Sequence, residues 1–231
     1  HVWKAMERFW CHYDYDGARR ELETALASQP DLSTAHLWYG VFLVCLGETE
    51  NGLAEARRAV ELDPLSPAAV TTLGLGLYLA RDYEAAAKQL RTAIAISPDY
   101  WLPHDWLGRV YAHGGRFPEA IAELSAAQKA WPNSESASKL GRIQADAGDR
   151  PAATAALNAL RARAREAYVA PAFIADVLIG LGETDQALAA LEQAVEEHSW
   201  YVSCLKVDPH FDPLRSDPRF IALLKKAGLD K

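Results

Sequence analysis

Hydrophobic residues recur three and four positions apart along the chain, in stretches separated by short polar breaks. One such stretch contains Leu37, Val41 and Val44, and after a break at Gly47 the next contains Ala56. This spacing places the apolar side chains on one face of an α-helix. The pattern therefore predicts a helix, a short turn and a second helix, repeated along the whole chain.

The predicted helix pairs follow a fixed period. Prolines show it most clearly, because Pro30, Pro64, Pro98 and Pro132 are each 34 residues apart. Other positions keep nearly the same spacing, namely Ala25, Ala59, Ala93 and Ala127, and the turn residues Gly47, Arg81, Gly115, Gly148 and Gly182. A period of this size indicates stacked supersecondary units, and glycine at the turn suits a left-handed residue that ends the first helix.

The repeat resembles the tetratricopeptide repeat, whose pattern is W-x2-L-G-x2-Y, then A-x3-F, then P. The fourth unit matches it best, with Leu107-Gly108, Tyr111, Ala120 and Pro132, although no unit has tryptophan at the opening position. The resemblance implies an all-α fold, a right-handed α-solenoid of about six helix-turn-helix units. We place the units at 1–32, 33–66, 67–100, 101–133, 134–167 and 168–201, and a C-terminal cap at 202–231.

The tail differs from the repeats. It contains three Asp-Pro pairs, the last of which is Asp217-Pro218. Aspartate at the N-cap followed by proline at the first helical position is a helix start signal. We expect a last helix from Pro218 to Lys226 with Phe220 on its buried face. Because a repeat array needs an end with a polar outer face, we interpret the tail as a capping element.

Residues 170–229 also resemble the C-terminal ends of repeat regions in bacterial multidomain signalling proteins. The run that carries this resemblance is Phe211-Asp212-Pro213-Leu214-Arg215-Ser216-Asp217-Pro218-Arg219-Phe220. In such proteins the repeats accompany a Ser/Thr kinase, a nucleotide cyclase or a winged-helix module. The resemblance implies a regulatory region of a larger signalling protein, and a chain that begins at His1 is expected to be a piece of something longer.

Charge and cysteine content restrict the partners and the compartment. The chain has 24 basic and 31 acidic residues, a net charge of −7, which argues against nucleic acid as a partner. No apolar stretch is long enough for membrane insertion. We expect the three cysteines, Cys11, Cys45 and Cys204, to be unpaired thiols. This fits the cytoplasm, with a periplasmic or other extracytoplasmic location as the alternative if the parent chain has a transmembrane segment.

The sequence contains no recognisable catalytic or metal-binding motif. Gly74-Leu75-Gly76 lies within a predicted helix and has no strand before it, so it is a packing feature and not a phosphate loop. His36 and His104 occupy the same repeat position two units apart, which is too far for one shared metal. We therefore expect no metal and no cofactor.

In the tetratricopeptide repeat family the first helix of each unit lines a concave groove. Carried over to this sequence, the expected peptide-binding positions are Trp38, Val41, Thr71, Leu75, Tyr78, Asp105, Trp106, Arg109, His113, Lys139 and Arg142. The first of these form an aromatic and apolar surface, and the last form a basic patch. Such a surface suits a peptide with an apolar anchor and, optionally, an acidic end. The alternative that several tryptophans belong to the core between repeats stays open.

The sequence thus predicts a non-catalytic scaffold that binds a protein or peptide in its concave groove. A second hypothesis is a small-molecule-sensing domain of a transcriptional regulator or kinase, which requires a closed cavity near Trp38, Tyr78 and Trp106. A third, an enzyme, requires a convergent set of acid, base or nucleophile that the spacing does not show. Homo-oligomerisation through the repeat faces also stays open.

Overall fold

The computed structural model describes residues 1–230, and within them the chain forms thirteen α-helices and two short 3-10 helices. The α-helices are α1 (Val2–His12), α2 (Tyr15–Ser28), α3 (Ser33–Cys45), α4 (Thr49–Leu62), α5 (Pro67–Leu79), α6 (Tyr83–Ile96), α7 (Trp101–His113), α8 (Phe117–Ala130), α9 (Ser134–Asp146), α10 (Arg150–Arg163), α11 (Pro171–Gly180), α12 (Thr184–Glu196) and α13 (Pro218–Lys226). The predicted all-α fold of paired helices is confirmed.

The odd-numbered helices from α1 to α11 form an inner layer. Each packs against the even-numbered helix that follows it, and those from α1 to α9 also pack against the odd-numbered helix of the next unit. Gly40 and Gly52 allow one such pair to approach closely, because a Cβ atom on Gly52 would lie 2.9 Å from the Gly40 carbonyl oxygen. Most residues of the inner helices α3, α5, α7 and α11 are buried, whereas the outer helices keep a solvent-exposed polar face.

The turns between paired helices use a left-handed residue at an equivalent position. Glycine occupies it in four units, and its φ is +90° at Gly47 and +88° at Gly148. Arg81 holds the same conformation in the third unit with φ +66°. A side chain with a Cβ atom pays roughly 1–2 kcal/mol for this conformation. The arginine therefore stands where local backbone preference favours glycine.

The chain between α12 and α13 runs back across the inner layer. We call residues 199–217 the groove segment; it contains the two 3-10 helices, Trp200–Cys204 and Pro209–Leu214. The Trp200 ring lies 6.3 Å from the Trp10 ring of α1 and 6.1 Å from the Phe173 ring of α11. A single side chain of the groove segment thus bridges the first and the last inner helix.

The predicted helix at Pro218–Lys226 is confirmed, with the Asp217 carboxylate accepting a hydrogen bond from the Arg219 amide at 2.8 Å. This helix, α13, packs against α12. That α13 acts as a cap stays a prediction, whereas the groove segment lies against the inner helices and not at the end of the array. No helix in residues 1–230 has the length and apolar character needed to cross a bilayer.

Candidate functional site

The groove segment is anchored on every unit of the array. The anchors on the six inner helices, or on the turn that follows one of them, are Phe9, Cys45, Arg81, Arg109, Lys139 and Asp176. Their partners in the segment are Ser203, Cys204, Asp212, Tyr201 and His210. The chain's own residues therefore cover part of the face that the sequence suggested as a peptide site.

Tyr201 is the centre of a buried polar network. The Lys139 ammonium donates a hydrogen bond to the Tyr201 hydroxyl at 2.6 Å, and the hydroxyl donates to the Asp208 carboxylate at 2.7 Å. Burial raises the pKa of Tyr201 well above its usual value, and nearby Asp208 adds to the effect. The hydroxyl consequently stays protonated and acts as donor and acceptor at once.

Arg109 is fully buried beside this network. Its Nε donates to the Asp105 carboxylate at 2.7 Å and its Nη2 to Glu135 at 2.8 Å. Its guanidinium carbon also lies 3.8 Å from the centre of the Trp106 ring. Burial alone would lower the pKa of Arg109, but the charges of Asp105 and its neighbours outweigh burial and raise it well above normal. The guanidinium remains charged and is paired within the protein.

Lys139 and Arg142 are paired in the same way. The Lys139 ammonium lies 2.9 Å from the Asp176 carboxylate, which also accepts a hydrogen bond from His210 Nδ1 at 3.1 Å. Arg142 donates to the His210 carbonyl at 3.1 Å and to the Asp146 carboxylate at 2.9 Å. The expected exposed basic patch is wrong, because carboxylates on the inner helices and in the groove segment neutralise the three cations.

Outside the buried network, Arg81 holds the far end of the groove segment. Its guanidinium donates two hydrogen bonds to the Asp212 carboxylate, at 2.7 and 2.8 Å. Burial tends to raise the pKa of Asp212, but the hydrogen bonds from Arg81 and Arg215 outweigh it and lower the pKa. Asp212 is therefore held in its charged form against Arg81.

A disulfide joins the groove segment to the inner layer. It links Cys45, at the end of α3, to Cys204, 159 residues further along the chain. The prediction of unpaired thiols is wrong for these two residues and holds for Cys11, which is exposed and free. The pair forms because the groove segment returns to α3, which no sequence spacing reveals. With two of the three cysteines paired, the cysteine content no longer favours the cytoplasm.

The predicted groove residues lie in different environments. Tyr78 and Trp106 are buried, with ring centres 5.4 Å apart. Val41 and Thr71 are also buried, whereas Trp38 and Leu75 are half-buried. Trp106 thus belongs to the core between repeats, and Trp38 stays within reach of solvent.

His113 lies at the rim, where it is exposed and its ring stacks on Tyr83 at 4.8 Å. Its Nε2 atom also makes a 3.1 Å hydrogen bond with the Tyr78 hydroxyl. With the packing of Tyr78 on Trp106, these side chains fill the space where a sensor would need a cavity. A cavity of about 600 Å³ lies elsewhere, lined in part by Tyr13, Arg19 and Lys206.

The repeats match a known family directly. A family model described as a tetratricopeptide repeat matches residues 12–67 and 71–135, more than half of the chain. The chain belongs to the tetratricopeptide repeat family. A second tetratricopeptide repeat model matches residues 172–197. Members of this family act as protein–protein interaction scaffolds and are generally non-catalytic. Among curated protein sequences there is no significant match.

Several solved structures resemble the chain in fold. PilW, a widely conserved type IV pilus biogenesis factor, is 24% identical with a TM-score of 0.64, over 83% of this chain and 89% of PilW. TTC0263, a thermophilic TPR protein in Thermus thermophilus, is 22% identical with a TM-score of 0.61, over 85% and 99%. The APC/C hetero-tetramer Cut9-Hcn1 gives a TM-score of 0.66 at 13% identity, over 96% of this chain and 44% of that one.

These comparisons support the tetratricopeptide repeat fold and give no support to the signalling assignment. Sequence reasoning also missed the residues of the groove segment, their partners Arg81 and Asp176, and Glu135, which pairs with Arg109. Two signals were present. The glycine series at the turns is broken at Arg81, and the tail carries Asp208 and Asp212 in Asp-Pro pairs. Neither signal indicates that the two features meet.

Proposed function

We propose that the protein is a protein-binding scaffold whose concave groove receives an extended segment carrying one tyrosine and two aspartates. The observation that carries the proposal is the seating of residues 199–217, which place Tyr201, Asp208 and Asp212 against side chains of the array. A partner segment with the same side chains at the same spacing would find the same contacts. In this view the groove segment occupies the site that the partner takes.

The chemistry of the groove supports a partner with negative charge. Arg81, Arg109 and Lys139 all belong to the array, and each interacts with Tyr201, Asp208 or Asp212 of the groove segment. Hydrogen bonds between charged groups are the stronger kind and are directional, so they select a carboxylate at a given place. The acidic end expected of a partner from sequence is thus matched by the aspartates that the groove already holds.

The half-buried residues at the first units support an apolar anchor. Trp38 lies 6.5 Å from the Trp3 ring and 5.2 Å from the Trp10 ring, and Trp3 is 74% exposed. Exposed aromatic side chains close together are typical of protein interaction sites. The groove segment leaves part of this surface uncovered. The proposal does not require a signalling protein as context, and the regulatory role in such a protein stays a prediction.

The test supplies the segment as a separate peptide. The full chain carries Cys204→Ser, Asp208→Asn and Asp212→Asn. These substitutions weaken the attachment of its own groove segment and leave the side chains of the inner helices unchanged. A fluorescent peptide of residues 199–217, with serine at the position of Cys204, is titrated with this variant and followed by anisotropy. We expect saturable binding. The matched control peptide, which also has asparagine in place of Asp208 and Asp212, should bind at least about tenfold more weakly.

A second control locates the binding in the groove. Adding Lys139→Met to the variant removes a partner of Tyr201 and should weaken binding of the peptide. Lys129→Met, on the outer helix α8, should leave binding unchanged. Circular dichroism establishes that each variant remains helical. Equal binding of both peptides, or no binding by a helical variant, would contradict the proposal.

A further inference from the structure

We propose that the Cys45–Cys204 disulfide is a redox lock on the concave groove, opened by a dithiol reductant and closed by oxidation. The proposal deepens the proposed function, because it concerns access to the same groove. It rests on where the disulfide lies. Cys45 belongs to the inner layer, and Cys204 belongs to the segment that covers it.

The two sulfur atoms differ in access. Cys45 is 1% exposed, because it lies at the buried end of α3. Cys204 ends the first 3-10 helix of the groove segment and is half-buried. A reductant approaching from solvent therefore reaches the sulfur of Cys204 first. Thiol–disulfide exchange requires access to a sulfur atom, so attack takes place at Cys204 in the groove segment and not at Cys45 in the array.

The reaction balances as an ordinary thiol–disulfide exchange. A thiolate of the dithiol attacks Cys204 Sγ, the Cys45–Cys204 bond breaks, and Cys45 leaves as a thiolate that takes up a proton. The second thiol of the reductant then attacks the mixed disulfide and releases Cys204. Two electrons pass from the dithiol to the protein disulfide, which ends as two thiols, while the reductant ends as an internal disulfide. Any dithiol oxidoreductase or small dithiol can supply this step.

The other contacts of the groove segment are weak enough that the disulfide determines whether the segment stays in place. The Arg81–Asp212 pair is exposed on both sides, and exposed ion pairs contribute little. The network around Tyr201, Asp208 and Lys139 is buried, so its attraction is offset by the loss of hydration of several charges. When the segment opens, these charges regain water. The disulfide prevents the groove segment from opening while the array stays folded. Reduction of the disulfide permits the segment to open.

The disulfide also holds the middle of the segment. On the N-terminal side of Cys204, Ser203 donates to the Phe9 carbonyl at 3.3 Å. On the C-terminal side, Lys206 donates to the Leu46 carbonyl at 3.3 Å, next to Cys45. Reduction frees the point between these two weak hydrogen bonds. The opening that follows is local, because α9 and the other inner helices keep their contacts with the outer helices.

The experiment measures hydrogen exchange of the full chain with Cys11→Ser, which removes the third thiol. Mass mapping under non-reducing conditions first establishes the Cys45–Cys204 link after oxidation. The oxidised protein and the same protein reduced with dithiothreitol are then compared. We expect amides of residues 199–217 to exchange faster after reduction, on the order of tenfold or more, with amides of α9 unchanged. In the Cys45→Ser/Cys204→Ser variant these amides should exchange as fast as in the reduced protein, and dithiothreitol should not change their exchange.

Three outcomes would overturn the lock: no Cys45–Cys204 link after oxidation, equal exchange of the segment in both states, or faster exchange of the whole array on reduction. The last would make the bond a general stabiliser. These outcomes are separate from the peptide titration. If the peptide binds but reduction has no effect, the redox lock is contradicted and the binding function is kept. If the segment opens on reduction but the peptide does not bind, the binding function is contradicted and the redox lock is kept.

Discussion

The guanidinium of Arg81 and the carboxylate of Asp212 meet through two hydrogen bonds although they lie 131 positions apart. The pair joins two irregularities of the sequence. Arg81 interrupts the glycines that occupy this turn from Gly47 to Gly182, and its φ of +66° is unfavourable for a side chain. Asp212 belongs to the tail and not to any repeat. An interaction with the groove segment thus accompanies a residue that the local backbone disfavours.

The first prediction concerns this pair. Arg81→Gly removes an exposed ion pair and also removes the backbone strain, so the free energy of unfolding should stay within about 1 kcal/mol of wild type. Arg81→Ala removes the pair and keeps the strain, and should be about 1 kcal/mol less stable than Arg81→Gly. Urea unfolding measures both. Equal stability of the two variants would show that the left-handed turn is not retained.

The second prediction concerns the buried pair of Lys139 and Asp176. Lys139→Met leaves the Asp176 carboxylate buried with a partner missing, and should lower the free energy of unfolding by about 3–5 kcal/mol. The double variant Lys139→Met/Asp176→Leu removes both charges and should recover part of that loss. Urea unfolding of Lys139→Met, of Asp176→Leu and of the double variant measures the coupling energy between the two side chains. Additive losses would mean that the two side chains do not interact.

The third prediction concerns pH and the pair of His104 and Glu123, whose atoms Nδ1 and Oε2 lie 2.6 Å apart. The hydrogen bond to Glu123 raises the pKa of His104. A raised pKa gives stabilisation that is complete below the ordinary histidine value and is lost as pH rises through the folded value. Glu123→Gln should therefore cost roughly 1 kcal/mol at pH 6 and less at pH 9.

Chemical unfolding at the two pH values measures this difference, and Glu192→Gln, at an exposed carboxylate on α12, is the matched control. A cost of Glu123→Gln that grows with pH would have the opposite sign and would rule out a protonated His104 in the pair.

The fourth prediction concerns acid and Asp208. Burial raises the pKa of Asp208, but the charges of His210, Lys139 and Arg109 outweigh burial and lower it. A lowered pKa gives stabilisation that is present above the ordinary aspartate value and is lost as pH falls through the folded value. Asp208→Asn should lower the free energy of unfolding by about 2 kcal/mol at pH 7 and flatten its fall in acid.

Urea unfolding between pH 3 and pH 7 checks this prediction, and Asp230→Asn at the exposed C-terminal end serves as the control. The prediction fails if Asp208→Asn, like Asp230→Asn, leaves the acid dependence of the free energy of unfolding unchanged.

The sequence by itself determined the helix pairs, their period, the family and the last helix. The prolines from Pro30 to Pro132 and the turn glycines act within one unit, and each unit buries its apolar face against the next one. Such features depend on neighbours in the chain, so a periodic pattern records them. The helix at Pro218–Lys226 is equally local, because Asp217 caps it from the preceding position.

Only the tertiary structure decided what covers the groove. Cys45 meets Cys204, Arg81 meets Asp212 and Lys139 meets Tyr201 across 159, 131 and 62 positions. No period relates these residues, because one partner belongs to a repeat and the other to a tail that occurs once. Their pairing depends on the path of the tail through the array. Asp105 and Asp146 are near Arg109 and Arg142 in sequence, but Asp176 and Asp208, which complete the pairing of the buried cations, come from distant parts of the chain.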